Sequence, residues 1–212
     1  MVLQHARKKE IKELLLAAAK NRYAAVQVPK DTVCIAPFSP SPMEMVTKVW
    51  ERLRPQMCAD DVVVELGCGD ARWLIQGVQM CGCRGVGVEY DPHVASLAVE
   101  TVNALQLQAS ISIAVDDIVD TNFHLPVDTS MVIVYAFADT LNVNVKRLLM
   151  EQCRAPCTKV ISVGVRLDIR FHHVLNNRVQ FRIHGWMPLW SERYAGLMCY
   201  FYELFKGGES AA

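Results

Sequence analysis

Between Val62 and Asp70 the chain passes from three valines into Glu65-Leu66-Gly67-Cys68-Gly69-Asp70, and this junction constrains the fold more than any other stretch. Val62-Val63-Val64 is apolar at every position, as in a parallel strand covered on both faces. Two glycines one residue apart then allow a sharp turn and close approach of a ligand. A helix is predicted behind them, over 71–80. The same unit recurs downstream. A strand over 85–89 leads to a helix over 92–104 with Pro92 in its first turn. Further strands are predicted over 111–115, 131–135 and 159–163, with a helix over 141–152. Repeated strand–helix–strand units imply an α/β fold: a parallel sheet with helices on both faces. Two late apolar stretches, 179–186 and 196–205, follow each other without a helical pattern between them and read as an antiparallel hairpin.

The chain has 212 residues, enough for a domain with a sizeable core. Lys plus Arg and Asp plus Glu are both 22. No global field therefore draws in nucleic acid, which is not an expected partner. No run of 18 apolar residues predicts a transmembrane helix. The eight cysteines do not read as a disulfide framework, because Cys58, Cys68 and Cys199 lie in or beside apolar elements. Reduced thiols in an intracellular chain fit better. Cys81 with Cys83 and Cys153 with Cys157 are close pairs, but a metal site needs four converging ligands, and none is expected.

Residues 3–25 read as a helix with Ile11, Leu14, Leu15 and Ala18 on one face. Its apolar run is too short for a secretory signal. Glu10 and Glu13 are unusual in a transit peptide, so a cytoplasmic location is preferred to a mitochondrial one. Pro37-Phe38-Ser39-Pro40-Ser41-Pro42 then forms a stiff, extended loop, since each proline fixes φ and restricts its predecessor. A helix over 43–53 follows, with Met45, Val46 and Val49 inward.

In open α/β sheets ligands bind beyond the carboxyl ends of the strands. The helix behind the glycine loop offers N–H groups and a positive dipole end to a ligand carboxylate. Glu65 offers the opposite charge to an ammonium group. A dinucleotide fingerprint requires a third glycine where Arg72 stands. Glu89, about 20 residues beyond the loop, is placed to accept both hydroxyls of a ribose, with Tyr90 beside it. Asp116 or Asp117 closes the third strand and suits the exocyclic amine of adenine, Asp117 being preferred. Turn formation competes for both. The ligand thus reads as an amino acid joined to ribose and adenine. Opposite it, Tyr135-Ala136-Phe137-Ala138-Asp139 ends the fourth strand. His172 and His173 are adjacent in an extended segment, face opposite ways and are not read as a pair.

These residues resemble the class I methyltransferase superfamily over residues 60–205. The resemblance implies a Rossmann-like sheet of seven mostly parallel strands with an antiparallel edge hairpin, and S-adenosylmethionine as cofactor. Ala36-Pro37-Phe38-Ser39-Pro40-Ser41-Pro42, taken with Val64 to Arg72, resembles the FAM173-type group of protein-lysine N-methyltransferases and its prokaryotic relatives. That likeness implies a helical and proline-rich cofactor-covering segment over 1–59, a cofactor-binding core over 60–206 and a tail over 207–212. It implies cofactor contacts at Phe38, Ser41, Glu65, Gly67, Cys68, Gly69, Asp70, Glu89, Tyr90, Asp116, Asp117 and Tyr135. Tyr135 and Asp139 are the candidate catalytic residues, and a protein lysine is the expected acceptor. The chain departs from the group in having Ala71 for a glycine, and in the whole stretch from Tyr135 to Asp139. It also lacks the Asn/Asp-Pro-Pro-aromatic signature of base methylation. A small-molecule or RNA acceptor, or a non-catalytic binding module, are the alternatives.

Overall fold

The computed structural model describes residues 39–135, 145, 148–149, 151–152, 158–164, 166–167, 169–174, 177–182 and 188–204. All of these except Ser39 belong to one compact unit, Pro40–Ala212. The predicted helix over 3–25, Phe38, Asp139 and the tail over 207–212 lie outside the described residues.

Three helices are described in full: α1 (Met43–Leu53), α2 (Arg72–Cys81) and α3 (Pro92–Ala104). The strands of the main sheet are β1 (Val62–Leu66), β2 (Arg84–Glu89), β3 (Ile111–Val115), β4 (Thr129–Tyr135), β5 (Thr158–Val163), β8 (Trp190–Tyr194) and β9 (Leu197–Leu204). A separate ribbon pairs β6 (Ile169–Val174) with β7 (Asn177–Arg182). The seven-stranded order is β3-β2-β1-β4-β5-β9-β8. β1 to β5 are mutually parallel, and β9 runs antiparallel between β5 and β8. Within 141–152, the described residues Val145, Leu148, Leu149, Glu151 and Gln152 are helical.

The predicted parallel units stand, with helix and strand ends shifted by a residue or two. The edge hairpin needs correction. The described part of 179–186 pairs with Ile169–Val174, and the partner of β9 is β8. The cause is exposure. Ser191, Glu192 and Arg193 of β8 face solvent, so the strand carries no apolar run to reveal it.

Period-two alternation divides the core. Val63, Met131, Ile133, Ile161, Val163 and Phe201 pack with α1, α2 and α3 on one face. Val62, Val64, Leu66, Val132, Val134, Val160 and Tyr202 pack with Leu148 and Leu149 on the other. Glu65 is in phase with Val63 and so lies under α2.

α1 is seated by Trp50, which is fully buried and donates from Nε1 to the Trp73 carbonyl at 2.9 Å. Gly77 of α2 makes room for that ring: a Cβ built there falls 2.4 Å from Trp50 Cζ2. Trp190 stacks on Phe201 with centroids 5.3 Å apart, and the Arg52 guanidinium lies 4.2 Å from the Trp190 ring centre. The C-terminal half of α1 is thus tied to α2 through Trp50 and to the edge of the sheet through Arg52. Alanine at Gly77 gains about 1 kcal/mol of helix propensity, but overpacking against the indole costs about 1–3 kcal/mol. We expect Gly77→Ala to lower the urea midpoint; a midpoint at or above that of the parent chain contradicts this packing.

Candidate functional site

The turn after β1 hangs on one acceptor. The Val88 carbonyl takes N–H donors from Gly67 at 2.8 Å and Cys68 at 3.0 Å. This pulls the loop back over β2 and requires left-handed backbone at Gly67 (φ 73°) and Gly69 (φ 54°). Ala71 is also left-handed, at φ 60° and ψ 20°. A residue with a Cβ in this conformation costs about 1–2 kcal/mol. Gly87 is needed for contact: a Cβ there falls 2.7 Å from Cys68 Sγ and 2.7 Å from Ile113 Cδ1.

Glu89 joins the loops. Its Oε2 accepts the Gly69 N–H at 2.9 Å and its Oε1 accepts the Asp91 N–H at 3.1 Å. A carboxylate offers about four lone-pair positions, so acceptor capacity remains on both oxygens. Asp91 caps α3 through the N–H groups of His93 and Val94. Asp70 is held by Arg72, whose Nε lies 2.8 and 3.1 Å from the two carboxylate oxygens, with Nη2 as a further donor. The Arg72 N–H also points to Asp70 Oδ1 at 3.3 Å, capping α2.

Five of the backbone donors around the loop are therefore engaged internally. Gly67 and Cys68 donate to Val88, Gly69 to Glu89, Ala71 to the Cys68 carbonyl and Arg72 to Asp70. Asp70 and Arg72 neutralise each other as an ion pair, which leaves Glu65 and Glu89 to set the local charge. This end of β1 suits a cation.

Glu65 is the most deeply buried of the three carboxyl groups. It is 5% exposed, and its Oε2 is buried without a hydrogen-bond partner. Burial pushes its carboxyl well above the ordinary value of 4.5, and Asp70 and Glu89 push the same way. The Leu74 N–H and Arg72 oppose them. Cys68 is buried under the loop, and burial with the charges of Glu65 and Glu89 drives its thiol upward, so it stays protonated and packs against Gly87. The cysteine thus supplies the loop with backbone and packing, with its side chain inward.

Ser41 is 3% exposed. Its Oγ accepts from Trp73 Nε1 at 3.0 Å and its carbonyl accepts from Arg72 Nη1 at 2.6 Å. The sequence offers neither Arg72 nor Trp73 as a site residue, although Arg72 closes the Val64–Arg72 stretch that carries the resemblance. Asp116 and Asp117 both form local turns: Asp116 Oδ1 accepts the Asp117 N–H and Asp117 Oδ1 accepts the Val119 N–H, at 2.8 and 2.9 Å. Asp117 is half-buried and Asp116 exposed. Tyr90 is half-buried beside Glu89. Tyr135 ends β4, opposite Val163 of β5 and packed at the edge of the core. His172 and His173 occupy successive positions of β6, opposite Val179 and Arg178, which is the alternation expected of them.

Among the described residues no group of three or more His, Cys, Asp and Glu is placed to hold a metal ion, and no helix is long and apolar enough to cross a membrane. No family model matches the chain, and no curated protein matches it. Solved structures do. An RNA methyltransferase from Salinibacter ruber, crystallised with S-adenosyl-L-homocysteine, is 21% identical; the match covers 81% of this chain and 97% of that one, with a TM-score of 0.64. The Escherichia coli protein yhhF is 11% identical over 85% of this chain and 92% of its own, with a TM-score of 0.59. The chain has the Rossmann-like methyltransferase fold, as its strand order and antiparallel edge also require.

The raised Glu65 carboxyl has a signed consequence. Above pH 4.5 the unfolded chain gives up this proton while the folded protein retains it. Stability from this group is therefore present at low pH and declines as pH rises towards the folded-state value. Glu65→Gln mimics the neutral acid. We expect it to raise the melting temperature of the ligand-free protein at pH 8, with the advantage shrinking as pH falls towards 4.5. A variant that melts lower at pH 8 and shows no such trend contradicts the burial argument.

Proposed function

We propose that the chain is an S-adenosylmethionine-dependent methyltransferase with a protein lysine as acceptor. The observation that carries the cofactor is the polarity of the glycine loop: the N–H groups of Gly67, Cys68 and Gly69 are internally engaged, while Glu65 and Glu89 stand beside it outside the Asp70–Arg72 ion pair. A pyrophosphate would meet negative charge and few free donors. A ligand with an ammonium and a sulfonium group meets complementary charge. The unpartnered Oε2 of Glu65 supports this, because a buried carboxylate oxygen wants a donor.

In this reading Glu65 faces the ammonium group of the cofactor, and Glu89 takes the ribose hydroxyls on its remaining lone pairs. Asp117, or Asp116, takes the adenine amine. Bound S-adenosylmethionine supplies an electrophilic methyl group on a sulfonium. The chain then has to align the acceptor and exclude water. Tyr135 stands at the carboxyl end of β4, where it lines the acceptor side, and Asp139 follows it in sequence. A lysine acceptor must first lose a proton, and its free pKa is about 10.4. Partial burial and a nearby cation both lower that value, so a dedicated base is not required. The proline segment ending at Ser41 supports the lysine reading through its resemblance to the protein-lysine group.

An RNA acceptor is the second reading. It is favoured by the β6–β7 ribbon, where Arg170, His172, His173, Arg178 and Arg182 occur without an Asp or Glu between Ile169 and Arg182. The Salinibacter neighbour, an RNA methyltransferase, supports it too.

Calorimetry tests the cofactor. Heat is expected with S-adenosylmethionine and S-adenosylhomocysteine and none with NAD, and Glu89→Ala should weaken binding at least about tenfold. Binding of NAD alone would sink the proposal. Incubation with methyl-labelled cofactor and source lysate then separates the acceptors. Label in protease-sensitive, nuclease-resistant material supports lysine; nuclease-sensitive label supports RNA; label only in small molecules removes both.

A further inference from the structure

Two consecutive residues of the first turn of α2 grip one residue that precedes α1. Arg72 donates Nη1 to the Ser41 carbonyl at 2.6 Å, and Trp73 donates Nε1 to Ser41 Oγ at 3.0 Å. The same guanidinium holds both carboxylate oxygens of Asp70, the last residue of the glycine loop. Arg72 is half-buried, with 24% of its side chain exposed and 33% of that of Asp70. Pro40 and Pro42 flank Ser41 and remove much of its backbone freedom. Trp73 is in turn fixed through its own carbonyl by Trp50 of α1. The cofactor loop, the start of α2 and the residue leading into α1 therefore meet at a single planar cation.

We propose that Arg72 is a positioning residue that couples occupancy of the glycine loop to the order of the segment at Ser41. The inference rests on the glycine loop being the cofactor site. Planarity is what makes it work. The guanidinium presents donors in a fixed fork, so Asp70 and the Ser41 carbonyl are satisfied at the same time and at one relative orientation. A lysine ammonium is a point charge on a flexible stem and does not hold both in register. Movement of Asp70 on ligand binding is transmitted through the fork to Ser41. In the other direction, a clasped Ser41 fixes the guanidinium that holds Asp70. Ser41 and the glycine loop, far apart in sequence, become one binding unit.

Calorimetry with S-adenosylhomocysteine, paired with amide hydrogen exchange on the full chain, tests the coupling. In the parent protein the ligand should slow exchange both at the glycine loop, residues 67–69, and at residues 41–46. In Arg72→Lys, binding should weaken about tenfold, with slowing retained at 67–69 and lost at 41–46. Arg72→Gln, which keeps a planar donor but loses the fork, should behave in the same way. A merely structural arginine would lower the melting temperature of both variants and leave ligand-induced slowing at 41–46 intact, which overturns the proposal. Unchanged affinity in both variants, or two variants that do not fold even at saturating ligand, overturns it equally. If the parent chain itself fails to bind S-adenosylhomocysteine, it is the cofactor reading that falls.

Discussion

One main-chain oxygen organises this molecule. The Val88 carbonyl, near the end of β2, accepts from both Gly67 and Cys68 and so bends the chain sharply after β1. Everything near the site follows from that bend. It brings Gly69 within 2.9 Å of Glu89 and sets Asp70 beside Arg72. It also starts α2 at an angle that puts Trp73 and Leu74 into the core. The bend is permitted by left-handed glycines above and by the bare Gly87 below, where any side chain would collide with Cys68. Local backbone geometry and core packing are here the same constraint.

Much of this was legible before any coordinates. The fully apolar valine run announced a strand buried on both faces, and β1 is buried at all five positions. The interval from the glycine loop to Glu89 was readable because the βαβ unit has a fixed length, and Glu89 does close β2 and reach the loop. What escaped has a common cause. β8 was missed because three of its five residues face solvent. Ile169–Val174 was missed because the His172-His173 pair interrupts its alternation. The clasp made by Arg72 is not readable from sequence, since one of its two partners, Ser41, is brought back across 31 residues of chain. Sequence periodicity reports burial, and it is silent on long-range polar contacts between residues of half-buried elements.

Ala71 shows how the two levels interact. In a left-handed conformation alanine is less comfortable than glycine. Yet its methyl is fully buried within the helical side of the core, and that burial offsets part of the strain. The loop can therefore tolerate the departure from the resembled pattern without changing shape. Packing rules of this kind read the core, and they do not extend to the choice of acceptor.

The charge pattern of the loop is itself an argument about binding. An ionised Glu65 beside Glu89 and Asp70 is unfavourable in the ligand-free protein, and burying it without a partner for Oε2 adds to that cost. A folded chain reduces the cost by keeping Glu65 protonated. A cation at the site changes the balance, because an ionised Glu65 then becomes the favourable state. Part of the free energy of folding is thus held back at the site and recovered only when the right charge arrives. By reciprocity, whatever favours the ionised Glu65 favours the cation, and raising the pH through the carboxyl's folded-state value strengthens binding. An anionic ligand gains nothing from this arrangement, since it would find the carboxylates unrelieved. Selectivity for a cationic cofactor is therefore written into the strain of the ligand-free loop as much as into the contacts made on binding.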